Sequence, residues 1–243
     1  MPSTTETGTA KIVANFEDLI SFCTSYGATY NPSKQSLKLS ALNTLRTNAK
    51  AALQAVNVAK TNYDNACNAR EIAFKQLKPL ATKVMYALTI TDATEQTLAD
   101  AKTINNKIQG RRAKKIQQAE ATTPEENPTP KKTISVSQQS FDSQVNFLSQ
   151  LVTRLSAEPS YTPNESKLTL AGLNTYLTDL QTKNTAAINA ATTLSNARIA
   201  RDQMLYHETT GLVTIAKEVK LYIKSLYGNK SPQDMQVRSL KFF

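Results

Sequence analysis

Apolar residues recur at three- and four-residue spacing through most of the chain, which is the period of an α-helix. From Lys34 to Lys78 there is neither Gly nor Pro, and Leu42, Leu45, Ala49, Ala52, Val56, Ala59, Tyr63, Ala66, Arg70 and Ala73 fall on one stripe. That pattern predicts one long helix. A shorter helix is predicted over Lys11 to Tyr26, with Ile12, Phe16, Leu19 or Ile20 and Cys23 on its inner face and Gly27 as terminator. Phe141, Val145, Leu148, Val152 and Leu155 make a matching stripe that ends before Pro159. Apolar spacing resumes after Lys78-Pro79 and after Thr210-Gly211, so a kink is expected at each rather than a full reversal. A last helix is expected at "TDATEQ", where Asp92 and Glu95 have capping-box spacing. Another is expected at "NKSPQD", where Ser231 caps, Pro232 takes the first turn and Asp234 the third position.

The pattern is stated twice. "YNPSKQSLKLSALNTL" from Tyr30 returns as "YTPNESKLTLAGLNTYL" from Tyr161, and an offset of 131 carries on without a gap to pair Asn65, Ala66, Ala69 and Arg70 with Asn196, Ala197, Ala200 and Arg201. Upstream, "FEDLISF" matches "FDSQVNF" at an offset of 125. The expectation is a duplicated unit: residues 1–110 as a first helical repeat, 111–133 as a basic linker rich in Pro and Thr, and 134–243 as a second repeat. Within each repeated phrase, Pro fixes the backbone and Ser33 or Asn164 is positioned to cap exposed amides. The implied fold is all-α, an elongated antiparallel helical bundle of coiled-coil-like character built from two tandem copies. Its seam is small-sided, through Ala52, Ala59, Ala66, Ala73, Ala187, Ala190 and Ala197, which lets helix axes approach closely. The shorter helices cover only the ends of each long one, so the middle of the seam requires the other copy or another chain.

Composition adds a bias rather than a diagnosis. The net charge of +10 favours an anionic partner: nucleic acid, an acidic protein or another polyanion. Cys23 and Cys67 do not correspond across the repeat, form no framework, and read as reduced, small, buried hydrophobes. No basic segment followed by an apolar one opens the chain, and no apolar run approaches a membrane span, so cytoplasmic residence is the default expectation.

Candidate chemistry is sparse. The single histidine, His207, has no His or Cys companion at metal-ligand spacing and no nucleophile beside it, and reads as a partly exposed helix residue. Arg70 and Arg201 are the shared charges of the inner stripe; each guanidinium could hold a carboxylate, a carbonyl or an anion, or simply lie along the edge of the stripe. The equivalent acids Glu17 and Asp142 are set aside as partners for Arg70, because the helical rise of ~1.5 Å per residue places them near the level of residue 48. The clearest functional signal is the cationic run Lys102, Lys107, Arg111, Arg112, Lys114 and Lys115, a candidate polyanion-binding segment without interleaved aromatics. Lys217, Lys220, Lys224, Lys230, Arg238 and Lys241 add positive field near the C-terminus. No Gly-rich phosphate loop, paired-Cys motif or nucleophile elbow occurs, so neither an enzyme nor a cofactor or metal site is expected.

The "YNPS…LNT" and "YTPN…LNT" phrases, the "NARIARD" segment and the ending "YGNKSPQDMQVRSLKF" resemble a group of uncharacterised helical proteins of flavobacteria and related Bacteroidota. That resemblance implies a duplicated helical fold and a bacterial source, and no activity. The functional expectation is a non-enzymatic structural or scaffold protein that works through helix surfaces, with itself or another helical protein as partner. The alternative is a basic protein that binds nucleic acid or another polyanion through residues 102–115.

Overall fold

The computed structural model describes residues 8–111 and 138–242. Most of the segment assigned to the linker, residues 112–133, therefore lies outside the described residues. The rest is helical, and no strand occurs among the described residues. In chain order the helices are α1 (Thr9–Ser25), α2 (Leu39–Phe74), α3 (Leu77–Thr89), α4 (Glu95–Gln109), α5 (Phe141–Ser156), α6 (Leu170–Tyr206), α7 (Leu212–Tyr227) and α8 (Pro232–Arg238). Two 3-10 turns, Gly27–Thr29 and Gln35–Leu37, lie between α1 and α2.

The repeated phrase resolves into a clamp. Tyr30 donates its hydroxyl to the Leu37 carbonyl at 2.7 Å, and Tyr161 does the same to Leu168 at 2.8 Å. Both tyrosines are buried, so each bond satisfies a hydroxyl largely removed from water. The turn so held occupies the beginning of the stretch expected to be helix, and α2 starts at Leu39, not Lys34. Ser33 and Asn164 do not cap. The side-chain cap of α6 is Thr169, whose hydroxyl accepts the Gly172 amide at 3.1 Å. Further along, Asn43 and Asn174 each donate a side-chain amide to the carbonyl four residues back.

The first long helix ends earlier than the proline suggested. The break falls at Lys75 and Gln76, and Pro79 sits in the first turn of α3, where a missing amide costs no intrahelical bond. Gln76 keeps right-handed helical angles, φ −84° and ψ −12°, and Gln76 N bonds Ala73 O at 3.4 Å, so the interruption is a single tightened turn. At the second weak point α6 stops at Tyr206 and Gly211 becomes the N-cap of α7. A Cβ on Gly211 would lie 2.5 Å from the His207 amide nitrogen, which only glycine avoids. The cap of α4 also moves from the expected residue: Thr94, not Asp92, accepts the Thr97 amide at 3.2 Å. Ser231 does cap α8, with Pro232 in its first turn.

The chain forms two compact units, residues 1–64 with 189–243 and residues 65–188. Neither coincides with one sequence copy. In the first, α1 contributes Ile12, Phe16, Leu19 and Cys23, and α7 contributes Leu212, Ile215, Ala216, Val219 and Ile223 to one core. Leu42 and Ala49 from the start of α2 join them, with Leu205 from the end of α6 and Val237 from α8. In the second, Leu77, Ala81, Val84 and Leu88 of α3 and Ala101 and Ile108 of α4 pack with Phe147, Leu148, Leu151 and Leu155 of α5. Phe74 from the end of α2 and Leu173 and Leu180 of α6 complete that core. Each core thus joins helices from both halves of the sequence, and in each unit one end of α2 meets the opposite end of α6.

Candidate interaction surfaces

The seven alanines assigned to the seam are all at least partly shielded from water. Ala59 and Ala187 are buried, and Ala52, Ala66, Ala73, Ala190 and Ala197 are half-buried. Leu42, Ala49, Leu173, Leu180 and Leu194 continue the same register and are buried.

Arg70 sits in the second unit. Its guanidinium lies over the Phe141 ring at 4.1 Å and donates through Nη1 to Asn184 Oδ1 at 3.2 Å. Asn184, itself buried, donates through Nδ2 to Asp142 Oδ1 at 2.7 Å. The exclusion of Asp142 from the neighbourhood of Arg70 is therefore corrected. The height argument holds within one copy, but the second unit brings the end of α2 beside the first half of α6, and Asp142 comes with it. Glu17 does lie where the rise places it, bonded to Lys50 at 2.8 Å and Arg46 at 3.5 Å. Its carboxyl is held below the usual range, chiefly by the Lys50 hydrogen bond. Arg201 makes a different contact, with the adjacent Asp202 at 2.7 Å. The shared stripe charge thus serves two local purposes. On Arg70 the buried Nε has no partner, which leaves stacking on Phe141 and the Asn184 relay as what fixes the guanidinium.

Of the candidate polyanion segment, Lys102, Lys107 and Arg111 are described and exposed, and Arg112, Lys114 and Lys115 lie outside the described residues. Lys102 and Lys107 are five residues apart on α4, about 140° around the helix, and do not share a face. Lys107 rests over the Phe147 ring at 5.5 Å.

The C-terminal cations, treated in the sequence as diffuse field, are gathered instead. Lys217, Lys220 and Lys224 of α7 and Arg238 of α8 line a recess of about 330 Å³ together with Leu221, Asp234 and Val237. Arg238 pairs with Asp234 at 2.7 Å, and Asp234 also accepts the Lys230 amide at 2.9 Å. Those contacts, the backbone amide first, hold the Asp234 carboxyl below its ordinary value. Lys220 donates to the carbonyls of Arg238 and Leu240 and lies over the Phe242 ring at 5.2 Å. Burial pushes its ammonium down from the usual lysine range. The signal that could have found this site is the i, i+3, i+7 spacing of the three lysines; the fold supplies Arg238 from a different helix.

His207 is exposed and follows α6 instead of belonging to it. Its Nδ1 accepts from the Thr209 and Thr210 amides at 3.3 and 3.4 Å, which closes the link to α7. Cys23 is buried, its thiol raised to about 12 mainly by burial, and Cys67 is half-buried with its sulfur 3.9 Å from Arg70 Nη2. No cluster of metal-ligating side chains occurs among the described residues, and no helix among them is long and apolar enough to cross a membrane. What fold and surfaces define together is an all-helical chain of two compact units. No family model matches it, and no curated protein or solved structure does.

Proposed function

We propose that the chain is a non-enzymatic helical scaffold, descended from two tandem copies of one unit, that associates with further copies of itself through its long helices. The observation that carries this reading is a second stripe on α2. Ala51, Ala55, Val58, Asn62, Asn65, Ala69 and Ile72 follow a heptad spacing and include no charged residue. All are exposed except the half-buried Ala69, with Val58 at 49% and Ile72 at 65%. A surface helix facing only water has no reason to keep charge off seven successive heptad positions, whereas a coiled-coil face does, and asparagines at such positions fix register. The duplication is supported by the two tyrosine clamps and the paired asparagine bonds, which recur at the offset of the sequence repeat. A polyanion function centred on residues 102–115 has less behind it, since its described lysines diverge around α4.

Sedimentation velocity over a wide concentration range tests the proposal. The wild-type chain is expected to shift to a larger species as concentration rises, and Val58→Glu with Ile72→Glu to remain monomeric with unchanged helical content. A single species that does not change with concentration contradicts it.

A further inference from the structure

Beyond the scaffold reading, we propose that the recess between α7 and α8 binds the phosphodiester backbone of single-stranded nucleic acid. Between Leu212 and Phe242 the chain carries six cations and two carboxylates, and both carboxylates are already engaged. Glu218 is held by Lys34 at 2.7 Å, and Asp234 by Arg238 and the Lys230 amide. Lys217 and Lys224, both exposed on the wall of the recess, form no ion pair with a described carboxylate, although Lys224 lies within the field of Asp234. With Lys220 they span about 10 Å of one face of α7 at ~1.5 Å rise per residue, and Arg238 stands opposite on α8. Cations on two walls suit a chain of phosphates laid between them.

Lys220 is a positioning residue. Its bonds to the Arg238 and Leu240 carbonyls, and that of Asn15 to the Lys241 carbonyl at 2.8 Å, tie the segment after α8 in place and keep the recess formed. The cations cover only a short stretch of two helices, and a flexible single strand can bend its phosphates to follow them where a stiff duplex cannot. Leu221, 65% exposed, is the one strongly exposed apolar side chain of the recess, and burying one leucine contributes only about 2 kcal/mol, too little to seat a membrane. No aromatic ring lines the recess to stack a base, so recognition is of the backbone, without sequence preference and sensitive to salt.

The test is fluorescence anisotropy of a labelled oligothymidine of about 20 nucleotides titrated with the full chain at several salt concentrations. Three to four neutralised phosphates give a slope of log K against log salt of about −2 to −3 for a single strand. Lys217→Ala with Lys224→Ala is expected to lower that slope by about 1.4 and weaken binding about tenfold or more at low salt. Lys217→Arg with Lys224→Arg is expected to retain binding, and Lys102→Ala with Lys107→Ala and Arg111→Ala to leave it unchanged. The proposal is overturned by absence of binding at low salt, by an alanine pair that binds as wild type, or by equal loss in the α4 variant. Binding to phosphatidylserine vesicles without binding to the oligonucleotide overturns it as well.

Discussion

Two tyrosines seven residues from the carbonyls they hold account for the phrase that the sequence repeats. Because each hydroxyl is buried and bonded, Tyr30→Phe and Tyr161→Phe are each expected to lower unfolding free energy by about 1 to 2 kcal/mol in chemical denaturation, leaving an unpaired carbonyl behind. Burial also raises both phenols, Tyr161 to about 12, and Tyr176 likewise to about 12. A group raised in the folded state contributes stability that is complete below its unfolded pKa of about 10 and is lost as pH climbs through the folded value. A spectrophotometric titration is therefore expected to show Tyr30, Tyr161 and Tyr176 ionising only above the ordinary phenol range, together with loss of helix. Uniform ionisation near 10 would contradict the clamp. Gly172 shows what a repeat leaves unsaid. Its counterpart Ala41 carries a Cβ, whereas a Cβ at Gly172 would lie 2.0 Å from the Ser166 carbonyl oxygen. Gly172→Ala is expected to cost about 2 kcal/mol or more in the same denaturation experiment, with the backbone forced to move.

At the scale of the element, which face of each long helix turns inward follows from spacing alone. Ala187 is buried and Ala191, one turn on, is exposed. Ala187→Glu is expected to lower stability by about 3 kcal/mol or more, because a carboxylate is placed where no partner and no water compensates it. Ala191→Glu is expected to change stability by less than about 0.5 kcal/mol. Equal melting of the two variants would show that the face is misassigned. Helix existence and face were legible because periodicity reports burial directly. Boundaries were less so, since they depend on single contacts: the clamp delays α2 to Leu39, the turn at Lys75 and Gln76 comes before Pro79, and Thr94 displaces Asp92 as the cap. Proline marks where a helix can restart, not where the preceding one must stop.

For the whole molecule, the decisive fact is that neither compact unit is made from one half of the sequence. α1 shares its core with α7 and α8, and α3 and α4 share theirs with α5. Periodicity could not show this, because a stripe says that a face is covered without naming what covers it. The same gap hid the relay from Arg70 through Asn184 to Asp142, and the meeting of Arg238 with the lysines of α7. The relay joins residues of the two interleaved halves, whereas Arg238 meets the lysines because α8 folds back on α7 within one half.

That interleaving is tested most directly by producing residues 1–111 and 138–243 as separate chains and following each alone, then mixed, by far-ultraviolet circular dichroism and thermal melting. Each core draws on both segments, so either one alone is expected to lack a cooperative transition, and the equimolar mixture to recover the helical signal and a single cooperative melt. Two segments that each fold cooperatively in isolation, with nothing gained on mixing, would contradict the account.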